Sequence, residues 1–239
     1  MQRASNGVEG NEIYVYLMAG VATAPHFMEK FRAALHEKLA QSGRSVHSEL
    51  LFPYGDWSRR VVPQLWEIRY DMRLSFSRFS YSIGGNRLLS SILSQLPMDR
   101  SHRTIFIGHS GGGVAAVHAA QLMLEKHIGS EPSQVVMIGS PRVRIPDNLQ
   151  SSVLSLYATG KSRDLVSRLG TFGGWSSELR RFPIWQADKH APVNIQGLPI
   201  IGGHPDYFRD RAPYVNAIGK SNIDITLEAI EQWLYPFFS

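Results

Sequence analysis

The sequence predicts an α/β domain: a mostly parallel central sheet of about six strands, flanked by helices. Three observations carry this. Short, nearly continuous apolar runs recur along the chain, as strands buried on both faces read in a parallel sheet. Segments with helical apolar spacing separate these runs, and glycine or proline punctuates the junctions. At 239 residues with 43% hydrophobic and 19% charged residues, the chain has the length and apolar content for one substantial core. It is read as a single domain over 1–239.

Ile13-Tyr14-Val15-Tyr16-Leu17-Met18 is the first strand, ending at Ala19-Gly20. Pro25 stands at a helix start, after which Phe27, Phe31, Ala34, Leu35 and Leu39 recur at helical spacing until Gly43. Ser45 to Phe52 is the second strand, broken by Pro53 and Gly55. From Asp56 to Tyr81 a helical stripe of Val61, Leu65, Ile68, Met72, Phe76 and Phe79 is interleaved with Arg59, Arg60, Arg69, Arg73 and Arg78. A helix over Asn86 to Leu96 completes a helical insertion at 56–96, read either as scaffold with a solvated basic face or as a mobile lid over an apolar pocket. Thr104-Ile105-Phe106-Ile107 is the third strand and Val114 to Lys126 an Ala- and Leu-rich helix. Strands at Gln134–Ile138 and Val153–Tyr157, a weaker one at Val193–Ile201, and a terminal helix marked by Leu227, Ile230 and Leu234 follow.

Composition excludes several kinds of chemistry. The absence of cysteine removes disulfides, thiolate nucleophiles and Cys-type zinc sites. The nine histidines show neither His-x-His nor His-Glu-x-x-His spacing, so no metal site is expected. The net charge of +5 is scattered, which favours mild attraction to anions but no nucleic-acid partner. No apolar run is long enough for a spanning helix. Met1 to Glu12 is polar, lacks an apolar signal core and is expected to be flexible, so a cytoplasmic protein is the expectation.

The chemistry concentrates at Gly108-His109-Ser110-Gly111-Gly112, directly after one strand and before one helix. This is the Gly-x-Ser-x-Gly nucleophile elbow in the context that motif requires. A sharp strand-to-helix turn lifts the serine hydroxyl above the sheet, and the positions two before and two after must be small. A phosphate-binding loop would need a Lys-Ser/Thr ending that is missing here. A serine hydroxyl needs a base, and the base an orienting acid, in the chain order serine, acid, histidine. His204 follows a strand and Gly202-Gly203 on a loop at the sheet's carboxyl edge, and is preferred to His190; His118 and His127 belong to the helix after the elbow. Asp164 follows the fifth strand at that edge and is preferred as the acid, with Asp188 its rival. Asp206 is read as a cap of the next turn. An oxyanion hole needs two backbone N–H donors, one from Gly111 and one from the loop after the first strand, where Val21 is preferred and its neighbour Ala22 is the alternative.

Gly108-His109-Ser110-Gly111-Gly112, Gly139-Ser140-Pro141, Asp164-Leu165-Val166 and Gly203-His204-Pro205-Asp206-Tyr207-Phe208, in this order, resemble the α/β-hydrolase superfamily, in particular class 3-type lipases. The resemblance implies an α/β-hydrolase fold and hydrolysis of carboxylic esters, with Ser110, Asp164 and His204 as triad and no cofactor. The chain departs from it in lacking the common His-Gly pair after the first strand. The substrate is expected to be a small-molecule or lipid ester, with contact at a membrane surface through the arginine-bearing segment as an added reading. The apolar segment Val61 to Phe79, with Phe172 and Trp175 after the acid loop, is a candidate lining for an acyl pocket; the two aromatics read equally as plain core. Acyl transfer or thioester cleavage by the same triad, and a binding protein on a hydrolase scaffold, are the alternatives.

Overall fold

The computed structural model describes residues 12–96, 102–129, 131–160, 164–176 and 182–238. The expectation of a flexible start falls, up to residue 11, outside the described residues. Strands β1 (Glu12–Met18), β2 (Ser45–Leu51), β3 (His102–His109), β4 (Gln134–Ile138) and β5 (Val153–Ala158) join a later strand, Asn194–Leu198, in one six-stranded sheet. The hairpin strands β6 (Gly174–Ser176) and β7 (Ile184–Gln186) precede that last strand, β8. The order is β2-β1-β3-β4-β5-β8 and every pairing is parallel. The apolar runs explain the order: β1, β3 and β4 are buried along almost their whole length and sit inside, whereas β2 and β8 are partly exposed and form the edges.

Alternate residues of β1 serve opposite layers. Ile13, Val15 and Leu17 pack with Phe31 and Leu35 of α1 (Glu29–Ala40), and Ile223, Leu227, Ile230 and Leu234 of the last helix (Asn222–Leu234) join the same layer. Tyr16 and Met18 face the other way, into the layer built by Leu88, Leu89 and Ile92 of a helix at Ile83–Leu93 and by the buried helix Gly111–Glu125. With the helix Val61–Asp71 as α2, these are α3 (Ile83–Leu93), α4 (Gly111–Glu125) and α5 (Asn222–Leu234). The chain reverses direction across the sheet between β1 and β3, so the loops after these two strands flank one crevice at the carboxyl edge.

The insertion departs from its apolar pattern. The stripe from Val61 to Phe79 is not one helix: α2 stops at Asp71, and Phe76–Tyr81 forms a separate 3-10 turn. Nor is the stripe wholly buried, since Val61 and Leu65 are 44% and 54% exposed. The buried face of α2 is instead mainly polar: Gln64, Glu67 and Asp71, with Ile68. The reason is that each polar group meets a partner remote in sequence. Glu67 takes a fork of bonds from Arg59 (2.5 and 2.7 Å) and another from Arg87 (2.9 and 3.1 Å). Burial alone would raise the Glu67 carboxyl, but these guanidinium bonds outweigh it and hold it at about 2. Asp71 accepts from Tyr54 Oη (2.8 Å), Ser82 Oγ (2.9 Å) and the Ile83 and Gly84 N–H groups (2.9 and 2.8 Å).

Ser82 gives its single hydroxyl proton to Asp71, caps α3 by accepting from Gly85 N (2.9 Å), and lies 2.8 Å from His118 Nδ1. His118 Nδ1 must therefore be the donor, which makes the ring the neutral Nδ1–H tautomer. His118 is fully buried, and that burial pushes its pKa down to about 4. Asp71→Ala would strand four donors, three of them wholly inside, and is expected to destabilise the fold by roughly 3 kcal/mol or more. Urea unfolding measures it; a loss under about 1 kcal/mol would show that the network does not hold α2 to α3.

Candidate active site

Ser110 stands at the junction of β3 and α4 with φ 55° and ψ −131°, a conformation that costs energy for any residue with a Cβ. Close packing enforces it. A Cβ at Gly108 would run into the backbone of Gly112 and Gly113, and one at Gly112 into the Met18 carbonyl at the end of β1. The Ser110 N–H donates to Ile138 O of β4 at 3.0 Å, tying the turn to the neighbouring strand. The hydroxyl is thereby presented at the sheet's carboxyl edge, beside the loop after β1.

A cavity of about 770 Å³ opens there, and its wall includes Ser110, Gly111, Val21 and His204. His204 arrives on the loop after β8, in a 3-10 turn (His204–Asp206). Asp206 does cap a turn, but the one it belongs to rather than the next, accepting from Gly203 N at 2.9 Å. His204 Nδ1 lies 3.1 Å from both carboxylate oxygens of Asp164, so its Nε2 is left to face chemistry. Among the described residues no hydrogen bond joins Ser110 Oγ to the His204 ring; the two share the cavity wall.

Asp164 is 2% exposed and fully engaged: Tyr207 Oη donates to Oδ2 (2.8 Å), and the Val166 and Ser167 N–H groups donate to Oδ1 (2.9 and 3.3 Å). Burial pushes this carboxyl up, but the bonds from His204, Tyr207 and the backbone outweigh it and hold it below its ordinary value. His190, the rival base, instead lies 3.7 Å from Asp147 and edge-on to Phe76; the rival acid Asp188 lines a separate depression.

The loop after β1 distinguishes the two donor candidates. Ala22 N–H is already committed to Gln64 Oε1 at 3.1 Å, whereas the Val21 and Gly111 N–H groups have no partner among the described residues. Thr23 Oγ1 donates to Gly20 O at 3.0 Å. Because carbonyl and N–H point oppositely in a trans peptide, this bond also aims the Val21 N–H.

Phe172 and Trp175 are not brought to this cavity. Phe172 is buried under the Arg142 guanidinium (5.8 Å from the ring centroid) and lines the depression on the far side of Asp164. Trp175 belongs to the hairpin β6–β7, where it meets Trp185 edge to face at 5.4 Å. The apolar wall includes Leu65, Ile68 and Met72, from the segment at 61–79 that the sequence also offered for it. Sequence reasoning missed Gln64, Thr23, Tyr207 and His109. His109 donates from Nε2 to His204 O (3.0 Å) and stacks on the His204 ring (4.7 Å), and burial is the main cause that pushes its pKa down to about 3. Only the motif Gly203-His204-Pro205-Asp206-Tyr207-Phe208 carried any signal for Tyr207.

Among the described residues no three His, Asp or Glu side chains converge as metal ligands, and no helix is long and apolar enough to cross a membrane. No family model and no curated protein matches the chain. Solved structures give distant likenesses. Arabidopsis thaliana SOBER1 is 11% identical, with TM-score 0.48, covering 95% of this chain and 100% of that one. An acetyl xylan esterase in iodinated complex is 10% identical, with TM-score 0.38 and coverage of 95% and 98%. A cutinase-like protein from Cryptococcus sp. is 10% identical, with TM-score 0.41 and coverage of 95% of each chain. These TM-scores are low, and none of the likenesses bears on the chemistry here. The α/β-hydrolase fold is read from the chain itself: its strand order, the strand–turn–helix at Ser110, and the order Ser110, Asp164, His204.

His109 and His118 are held neutral in the fold, while histidines in the unfolded chain take up protons near pH 6.5. Stability is thus fully present above that pH and is lost as pH falls toward the folded values; the depressed Asp164 and Glu67 add loss of the same sign at lower pH. Urea unfolding at pH 7 and pH 4.5 should differ by roughly 2 kcal/mol for each ring. His109→Gln should flatten the slope, and an unchanged slope would contradict a neutral His109.

Proposed function

We propose that the protein is a serine hydrolase that cleaves carboxylic esters through an acyl-enzyme on Ser110. The observation that carries this reading is a serine on a strained strand–helix turn, sharing one cavity with a histidine whose far nitrogen bonds a buried aspartate. Binding of the ester closes the Ser110–His204 approach, and His204 Nε2 takes the hydroxyl proton as Oγ bonds the acyl carbon. The negative charge that develops on the carbonyl oxygen meets the Val21 and Gly111 N–H groups. Collapse breaks the acyl C–O bond, and His204 returns its proton to the departing alkoxide. Water repeats the sequence: its proton goes to His204, its oxygen to the acyl carbon, and Ser110 Oγ leaves with the proton. Asp164 keeps the imidazole in its Nδ1–H form throughout.

Leu65, Ile68 and Met72 would hold the acyl chain. The buried bonds of Glu67 and Asp71 favour α2 as a fixed wall over a mobile lid.

Hydrolysis of 4-nitrophenyl esters of graded chain length tests the reading. Ser110→Ala is expected to abolish turnover, and Asp164→Asn to lower kcat by roughly 10³–10⁴-fold. Turnover that survives Ser110→Ala would remove Ser110 from the mechanism. Thr23→Val should lower kcat about tenfold with little change in KM, since it loosens a donor used in the transition state. A change confined to KM would count against the Val21 N–H.

A further inference from the structure

The cavity beside Ser110 carries a charge pattern that ester cleavage alone does not require. Arg69, Arg73 and Arg144 all line it, and among the described residues its wall holds no aspartate or glutamate. Among the described residues these three arginines have no ion pair, in contrast to Arg59 and Arg87, which are matched to Glu67. Arg69 and Arg73 are four residues apart, one helical turn along α2 and its continuation, and so project from the same side. Arg144 comes from a different element, after β4, with its Nε donating to Gly173 O at 3.0 Å and, among the described residues, no other partner for its guanidinium. Next to them the lining is apolar: Leu65, Ile68, Met72 and Leu169.

We propose that this cavity takes an acyl ester whose alcohol portion bears a phosphate, the chain lying on the apolar wall and the phosphate between Arg69, Arg73 and Arg144. Three unpaired guanidiniums around one space match a phosphate, which accepts bidentate bonds on several oxygens, better than a neutral head group. The proposal rests on the ester-hydrolase reading for turnover but not for binding.

Two measurements therefore separate the two ideas. The first is calorimetric titration of Ser110→Ala with dodecyl phosphate and with dodecyl glucoside, both below micelle formation. The phosphate is expected to bind at least tenfold tighter, and the paired change Arg69→Gln, Arg73→Gln should erase that preference. The second compares kcat/KM for hexanoyl glycerol 3-phosphate and hexanoyl glycerol. The ratio is expected to exceed ten and to fall at least tenfold in the paired variant, largely through KM, with Lys at both positions restoring part of it. A long-chain acyl glycerol phosphate in phosphatidylcholine vesicles, set against the monomeric ester, tells a lipid head group from a free phosphate ester; arginine-dependent preference in either arm supports the proposal. Equal binding of the two dodecyl compounds, or a ratio near one alongside Ser110-dependent cleavage of the neutral ester, overturns the phosphate site and leaves the hydrolase reading standing. Selective phosphate binding with no cleavage of any ester would do the reverse.

Discussion

The architecture around the site depends on a single backbone corner. At Ser110 the chain leaves β3 and enters α4 within one residue, in a conformation held only because glycines at 108 and 112 let three pieces of backbone meet. The parallel sheet supplies the surroundings that over-determine it, with β1 against Gly112 and β4 receiving the Ser110 N–H. Because β1 and β3 are adjacent at the reversal of strand order, the Val21 loop necessarily lies beside the serine. β5 and β8 lie on the other side of β4, and the loops following them carry Asp164 and His204 to the same edge.

Around that corner, polar contacts do the positioning and apolar surface is left for binding. Tyr207 links Asp164 to Ala158 N, and His109 grips the His204 backbone while stacking on its ring. Gln64 connects α2 to the loop after β1, its amide donating to Asp56 O and Arg59 O while its oxygen receives Ala22 N–H. Helix α2 turns its polar residues to the body, and Leu65, Ile68 and Met72 toward the cavity, an arrangement stabilised by forked arginine–carboxylate bonds of short reach.

Most of the sheet was legible in the sequence because strands buried on both faces leave unbroken apolar runs such as Ile105-Phe106-Ile107, and the expected strands match those formed to within two or three residues at their ends. The serine turn was legible because its constraint is local, glycine at fixed offsets. The meeting of Asp164 and His204 at the sheet's carboxyl edge was legible through chain order and strand ends. The face of α2 was not, because hydrophobic periodicity cannot register that Glu67 meets Arg87 or that Asp71 meets Gly84. The same holds for Tyr207 and His109, whose partners lie 43 and 95 residues away. Of the two readings open for Phe172 and Trp175, the pocket one does not fit: Phe172 is buried, and Trp175 pairs with Trp185 in a short hairpin with little periodic signal.

The central claim is that the hydroxyl at this corner is an activated nucleophile. Its most direct test is reaction of the folded protein with a serine-directed fluorophosphonate, followed by intact mass and peptide mapping. The account predicts one adduct, on Ser110, forming orders of magnitude more slowly when Asp164 is replaced by Asn. Folded protein that takes up no adduct, or takes it up on another residue, would contradict it.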